Sequence, residues 1–475
     1  MPVATAQLAS VLRILITLRA AGYEAYFAGG CVRDLLLGRV PADYDVATSA
    51  TPEVVLKMFP RTFAVGAQFG VVLVATEPKD PLKESAPPQV EVATFRSDGA
   101  YSDGRHPDAV RFTLSAAEDV QRRDFTINGL LLDPLRGGRF LDECTDEPFA
   151  VRAGLRNAVV DHVGGLADLD AGIVRAIGEP ARRFQEDQLR LLRAVRFATR
   201  FGFTIEPATY AAIGALAPRI AAVSRERVRD ELTKMLTEGR ARQAFELLDE
   251  TGLLADVLPE IVRMKGVAQP PQFHPEGDVW IHTLLLLEQL PPGCSFTLAW
   301  GALLHDVGKP PTFRVAPDRI RFDGHVEVGM AMAADICRRF RFSNDETHQI
   351  VALVENHMRF ADAPRMKESS LKRFFRLGKF DEHLALHRMD CLAAHGNLDI
   401  WNFVRERYEG TPEEVVRPQP LLTGRELIAA GYLPGAQFKE MLHAVEDAQL
   451  EGSIATTEEA LRIVRERFGP APAQP

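Results

Sequence analysis

Tyr26-Phe27-Ala28-Gly29-Gly30-Cys31-Val32-Arg33-Asp34 passes from an apolar, strand-like run through a glycine pair into the start of an apolar helix. Small residues at such a strand-to-helix turn let backbone N–H groups approach phosphate oxygens, and the helix N-terminus adds partial positive charge. A plain structural turn would read the same way in isolation. A nearby pair of carboxylates narrows the choice. Asp43-Tyr44-Asp45 comes next, leading into Val46-Ala47-Thr48. On extended chain residues i and i+2 share one face, so Asp43 and Asp45 form a carboxylate pair that repels itself unless a divalent cation sits between. Glu91, on the strand-like run Val90 to Phe95, is available as a third carboxylate.

Outward from this stretch, the chain to about residue 150 mixes Val- and Phe-rich runs (Tyr23 to Ala28, Val71 to Thr76, Val90 to Phe95) with turn signals. The remainder is nearly all helix-like. The contrast predicts an α+β protein, an α/β head followed by helical domains. Glu77 to Gln89 carries four prolines and reads as a hairpin-like excursion between two strands. Gln269 to Asp278, with Pro270, Pro271 and Pro275, marks a domain junction, and the Pro/Ala-rich tail Gly469 to Pro475 is expected not to pack.

The chain has 475 residues, 46% of them hydrophobic, enough for about two to four domains. Leu8 to Leu18 is interrupted by Arg13 and repeats its apolar residues at helical spacing, so it reads as an amphipathic helix rather than a signal peptide or membrane span. Cys31, Cys144, Cys294, Cys337 and Cys391 are far apart and form no CxxC pair, which argues against disulfides and a zinc ribbon and for a cytoplasmic setting. A net charge of -9 argues against coating nucleic acid non-specifically. RNA contact would fall to two local basic clusters, Arg182 to Arg200 and Arg365 to Arg376, each of which also reads as a solvated helix face.

Gly99 to Pro107 is a loop of glycines and charges, and Arg122-Arg123-Asp124-Phe125-Thr126-Ile127-Asn128-Gly129 lies beyond it. The ordered series Gly-Gly-x-Val-Arg-Asp, Asp-x-Asp, Glu-Val-Ala-Thr-Phe-Arg, Asp-Gly-Arg-x-Pro and Arg-Arg-Asp-Phe-Thr-Ile-Asn resembles the family of class II CCA-adding tRNA nucleotidyltransferases and bacterial poly(A) polymerases, over roughly residues 20 to 260. The resemblance implies that Gly30, Arg33 and Arg123 contact the nucleotide and that Asp43 and Asp45 hold Mg²⁺. It makes Asp98 to Phe112 the loop that switches between C and A addition. Asn128-Gly129 departs from the usual Asn-Ala, a small-for-small change expected to be tolerated.

Arg183 to Ala198 has apolar residues at helical spacing, which places Asp187 and Arg190 on one helix face, where an intrahelical ion pair is the ordinary outcome. Nucleobase chemistry offers another use. Cytosine and adenine both present an amino donor beside a ring-nitrogen acceptor, which a carboxylate and a guanidinium satisfy together. The segment resembles the family's Glu-Asp-x-x-Arg motif, which selects CTP and ATP without a nucleic-acid template. By that resemblance Arg193 and Arg196 carry the triphosphate.

Farther on, His282, His305-Asp306, His325, His357 and Asp390 occur in helix-like sequence. Apolar flanks would bury His305 and Asp306, two titratable groups in need of a partner, and a metal supplies one. Such ligands suit Mn²⁺, Ni²⁺, Fe or Mg²⁺. The pattern resembles the HD phosphohydrolase superfamily over about residues 278 to 395. By that resemblance His282, His305, Asp306 and Asp390 match a one-metal core, and His325 and His357 match the extra histidines of two-metal members.

The expected organisation is a nucleotidyltransferase-type head with a small mixed sheet (1–150), a helical neck and body (151–268), a helical HD domain (269–400), a C-terminal helical tRNA-binding region (401–468) and a disordered tail (469–475). The expected partners are tRNA, ATP and CTP, with no DNA and no membrane. The cofactors are Mg²⁺ and a second divalent metal at the HD site. Addition of C, C and A to tRNA 3′ ends is the leading reading. Poly(A) addition, or CC-only or A-only addition, is the alternative within the class; many bacterial poly(A) polymerases carry a basic C-terminal extension, whereas the last residues here read Gly-Pro-Ala-Pro-Ala-Gln-Pro. A phosphohydrolase or nucleotide-binding protein with an inactive head is the alternative outside it.

Overall fold

The computed structural model describes residues 3–64, 66–75, 89–99, 101, 104, 107–136, 154–272 and 274–471. Cys144, nearly all of the Glu77–Gln89 excursion and more than half of the Gly99–Pro107 loop therefore lie outside the described residues. The chain forms two compact units, residues 1–235 with 243–257, and residues 236–242 with 258–475.

The N-terminal unit is built on a mixed sheet that has seven strands among the described residues, in the order β3-β4-β5-β2-β1-β8-β9. The strands are β1 (Ala25–Ala28), β2 (Asp45–Thr48), β3 (Thr62–Phe63), β4 (Val71–Ala75), β5 (Gln89–Thr94), β8 (Leu131–Leu132) and β9 (Val159–Val160). A separate hairpin joins β6 (Arg96–Asp98) to β7 (Val110–Phe112), flanking the expected switching loop. Strand β5 alternates as a half-buried strand must, with Val90, Val92 and Thr94 inward and Gln89 and Glu91 outward. Helix α1 (Val3–Ala20) buries Val11, Ile14, Leu15 and Leu18 at the spacing of one helical face, as its sequence predicts. Each such side chain removed from water contributes about 1.5–3 kcal/mol.

Beyond the sheet the unit is helical. Helix α2 (Gly30–Leu36) comes directly after β1, α3 (Pro180–Glu186) and α4 (Leu189–Phe201) are nearly consecutive, and α5 (Arg225–Thr237) closes the group. Helix α4 buries Leu191, Leu192, Ala194, Val195 and Ala198, and Arg196 is buried with them. It ends at Gly202 in the left-handed conformation (φ 71°), a C-terminal cap that glycine adopts without Cβ strain.

The C-terminal unit is helical, with α6 (Val279–Glu288), α7 (Phe296–Leu304), α8 (His325–Arg339), α9 (Asn344–Asn356), α10 (Glu368–Phe375), α11 (Phe380–Ala393), α12 (Gln437–Leu450) and α13 (Thr457–Phe468) among its elements. Asp278 and Ser295 cap α6 and α7, and Ser343 with Glu346 forms a capping box on α9. Among the described residues no helix is long and apolar enough to cross a membrane. Gly469 to Ala471, within the stretch expected not to pack, make contacts with the rest of the unit. The Tyr432 hydroxyl donates to the Gly469 carbonyl at 2.8 Å, and Ala471 packs on the cluster of Leu427, Val445 and Val464. An aromatic anchor thus fixes residues whose own composition gives no reason to pack, and only 472–475 lie beyond the described chain.

Candidate active site and metal centre

A cavity of about 530 Å³ in the N-terminal unit gathers residues from three of the five head motifs, among them Gly29, Gly30, Arg33, Asp43, Asp45, Arg123 and Asn128. Asp187, Arg190, Arg193, Arg196 and Arg227 complete the lining. Gly29 is the conformationally demanding glycine of the pair. Its φ is 73°, and a Cβ there would lie 3.0 Å from the Arg123 guanidinium.

Asp43 and Asp45 face this cavity from the start of β2. Strands β2 and β5 run parallel with Val46 opposite Val92, a register that carries Asp45 alongside Glu91. Burial, then Glu91 and Asp43, push the Asp45 carboxyl up to about 7. Glu91 itself does not line the cavity, and the three carboxylates do not form a cluster with all ligand atoms within 4.8 Å. The donor set is all carboxylate oxygen, which fits a hard cation such as Mg²⁺.

A hydrogen-bond network ties the motifs together. Arg193 donates to Asp124 Oδ2 through Nε and NH2 at 2.8 and 2.6 Å, and Asp124 Oδ1 accepts from the Phe125 amide and from Asn128 Nδ2. Asn128 in turn accepts from Arg33, which also donates to Asp34. Against the cost of burial, Arg193 and Asn128 hold the Asp124 carboxyl well below the usual carboxylate range. Arg33 is 4% exposed and lies over the rings of Phe197 and Phe201, so much of its bonding joins α2 to α4. Arg196 is likewise paired to Glu231 at 2.6 Å, and Arg123 to Asp119 at 3.2 Å. Gly129 also has a local reason, since a Cβ there would fall 2.8 Å from Val163 Cγ2.

Asp187 and Arg190 enter the same cavity, though not as neighbours on a helix face. Helix α3 stops at Glu186 and α4 starts at Leu189, and Asp187 between them is extended (φ -146°, ψ 105°). The Asp187–Arg190 ion pair that this spacing would ordinarily give is replaced by two others. Arg190 NH1 donates to Glu186 Oε2 at 3.0 Å, and Arg227 donates to both Asp187 oxygens at 3.2 and 2.9 Å. The helix break turns the carboxylate away from its i+3 partner and leaves both groups aimed at the cavity.

The second centre lies in the C-terminal unit, where the histidines sit at helix ends. His305 and Asp306 come just after the last turn of α7, His325 opens α8, His357 succeeds α9, and His282 and Asp390 project from α6 and α11. Two ligand groups result, His282-His305-Asp390 and Asp306-His325-His357, each with its donor atoms within 4.8 Å. His305, His325 and His357 each bond a backbone carbonyl through Nδ1, at 2.8, 2.9 and 2.7 Å. His282 Nδ1 meets Glu276 Oε1 at 2.7 Å. These second partners fix all four tautomers so that Nε2 faces inward.

Electrostatics and unmet bonding both point to a cation here. His325 Nε2 and His357 Nε2 are buried without a hydrogen-bond partner, as are both Asp306 oxygens, of which Oδ2 lies 2.7 Å from Lys309 and 3.1 Å from His305 and Oδ1 lies 3.7 Å from His357 Nε2. Although burial works against its protonation, Asp390 and Glu276 carry His282 up to about 9. Burial pushes His357 down to about 4. Gly308 makes the arrangement fit, because a Cβ on it would lie 2.1 Å from the His325 carbonyl oxygen. A cavity of about 770 Å³, lined by His325, His357, Asp390, Lys309, Arg321 and His395 among others, opens on the centre.

Sequence reasoning missed Glu276, Lys309 and Arg227. Glu276 lies on a loop with no periodicity, though its place in His274-Pro275-Glu276 six residues before His282 was a readable signal. Arg227 is 40 residues from its partner in a charge-dense helix, where nothing local distinguishes it. The basic clusters are also largely committed within the fold. Arg373 and Arg376 pair with Glu446 and Asp447, and Lys372 donates to the Leu450 carbonyl, so α10 is pinned to α12. The sequence showed the cations without the distant acids that neutralise them.

Head, cavity and second centre together define a nucleotidyltransferase of the poly(A) polymerase head type that carries an HD domain. The "Poly A polymerase head domain" model matches residues 25–175, the "Probable RNA and SrmB- binding site of polymerase A" model 202–264, and the "HD domain" model 278–394. A CCA-adding enzyme of Lactobacillus helveticus is 30% identical over 454 residues, 94% of each chain, and this chain belongs to the CCA-adding enzyme family. Over shorter spans, the enzyme of Lactobacillus gasseri is 37% identical across 299 residues (61% of this chain, 67% of that one). That of Geobacillus stearothermophilus is 41% identical across 244 residues, 51% of this chain and 53% of that one. The crystal structure of the Bacillus stearothermophilus CCA-adding enzyme in complex with CTP superposes with a TM-score of 0.69 at 27% identity, covering 98% of each chain.

Proposed function

We propose that this chain adds C, C and A to tRNA 3′ ends from CTP and ATP, with Mg²⁺. The observation that carries the reading is one cavity holding the Asp43 and Asp45 carboxylates, several arginines, and the Asp187 carboxylate and Arg190 guanidinium suited to a nucleobase edge. Asp43 and Asp45 would hold the cation, with Glu91 adding negative charge beside Asp45. When bound, such an ion lowers the pKa of the attacking 3′ hydroxyl and steadies the departing pyrophosphate. Gly30 lets the backbone approach the phosphates, and Arg33, Arg123, Arg193 and Arg196 provide positive charge along the same wall.

Asp187 accepts from the exocyclic amino group of cytosine or adenine, and Arg190 donates to the adjacent ring nitrogen. Uracil and guanine turn a carbonyl toward Asp187, a lone-pair clash that such sites penalise by roughly 10⁴-fold. The four-part division at residues 150, 268 and 400 belongs to this reading, with the C-terminal helices holding tRNA by its shape and backbone.

At the second centre His282, His305, Asp306 and Asp390 would hold one divalent ion and Asp306, His325 and His357 another, of the Mn²⁺, Ni²⁺, Fe or Mg²⁺ group. Its chemistry is hydrolysis of a phosphoester, for which such an ion supplies a water of lowered pKa. Changing Asp43 and Asp45 together to Ala tests both assignments. Nucleotide incorporation is expected to vanish while metal-dependent phosphatase activity of the same preparation persists. Surviving incorporation would refute the head assignment.

A further inference from the structure

Arg227 lines the nucleotide cavity from α5 and forks onto Asp187, NH1 to Oδ1 at 3.2 Å and NH2 to Oδ2 at 2.9 Å. We infer that Arg227 is a positioning residue that sets nucleotide discrimination by fixing the reading edge of Asp187. The inference deepens the base-selection reading and rests on it.

A carboxylate has about four lone-pair positions, two on each oxygen. Oδ1 takes Arg227 NH1 and the Leu189 amide at 3.1 Å, whereas Oδ2 takes only Arg227 NH2. One acceptor position therefore remains, on Oδ2. A single amino hydrogen, of cytosine or of adenine, fits that vacancy. Arg190 is held in a matching way. Its NH1 donates to Glu186 and to the Arg183 carbonyl, and one NH2 hydrogen goes to the Arg122 carbonyl at 3.1 Å, which leaves the second NH2 hydrogen and the Nε hydrogen to meet a ring nitrogen. Donor and acceptor are thus fixed separately, each by its own partner.

Without the Arg227 fork, Asp187 keeps only the Leu189 amide and can rotate toward Arg190, three residues on, in the ion pair its spacing favours. That rotation relaxes the penalty against uracil and guanine. Lysine at 227 would keep the charge without the planar fork, so it should restore the nucleotide preference only in part.

The test is single-nucleotide addition by the full chain to tRNA lacking its 3′ end, with CTP, ATP, UTP and GTP in turn, for wild type, Arg227→Ala and Arg227→Lys. Thermal melting of each variant separates misfolding from mispositioning. The ratio of kcat/KM for CTP over UTP is expected to fall roughly 10- to 100-fold in Arg227→Ala, with Arg227→Lys intermediate. An unchanged ratio would overturn the inference, and so would an equal loss for all four nucleotides, which would make Arg227 a phosphate contact. A wild type that fails to prefer CTP and ATP would instead overturn the base-selection reading beneath it.

Discussion

Gly308→Ala is the most exacting small perturbation of the second centre. A Cβ at this position would lie 2.1 Å from the His325 carbonyl oxygen, 2.6 Å from the Gly329 amide nitrogen and 2.9 Å from the Gly329 Cα, all of them backbone atoms. Ordinary contact distances are roughly 3.5 Å, so the start of α8 must retreat by about 1 Å or more. Overpacking of this kind costs about 1–3 kcal/mol. The displacement falls on His325, the first residue of α8, whose Nε2 belongs to the group with Asp306 and His357. Isothermal titration of the full chain with Mn²⁺ reads the effect, and nucleotide incorporation serves as the internal control. Wild type is expected to bind two ions at this centre. The variant should lose the Asp306-His325-His357 site while incorporation stays near wild type. Unaltered stoichiometry and affinity in the variant would refute the argument that close backbone approach at Gly308 builds the site.

Two further outcomes are expected from the same geometry. Asp124→Ala strips the acceptor from the Arg193 fork, the Phe125 amide and Asn128, and because Arg193 is one-third exposed the loss is discounted to roughly 2–3 kcal/mol of head stability. Thermal denaturation monitored in the head should show it, and an unmoved midpoint would count against the network. His383 is 1% exposed in an aromatic cluster, and burial pushes it down to about 4, below its ordinary value of 6.5. Its stabilising neutrality is fully present above pH 6.5 and is lost as pH falls from there toward 4, by roughly 2 kcal/mol at pH 5. His383→Leu should flatten the melting-temperature profile of the C-terminal unit between pH 7 and 5. An identical acid response in wild type and variant would place the titration elsewhere.

The head was legible because its motifs are local. Tyr26-Phe27-Ala28-Gly29-Gly30 folds as the strand, glycine turn and helix start that its residues specify, and Asp43 and Asp45 need only the two-residue period to face one way. The histidine centre was legible for a different reason, since apolar flanks around titratable groups are costly without a shared partner. What escaped was non-local or subtle. Helical periodicity across Arg183 to Ala198 conceals the break at Asp187, because the apolar residues keep their spacing on both sides of it. Arg227 reaches Asp187, and Glu446 reaches Arg373, only after tertiary folding. Glu91, taken as a third carboxylate on the strand-like run Val90 to Phe95, lies beside Asp45 in register yet outside the cavity wall.

On this reading one cavity selects C and A from solution and joins them to RNA. Purified protein given tRNA that lacks its 3′ CCA, with CTP alone, ATP alone and then both, tests this directly. Extension by three nucleotides that requires both triphosphates is the predicted result. Long A tails from ATP alone, or no extension under any of the three conditions, would contradict it.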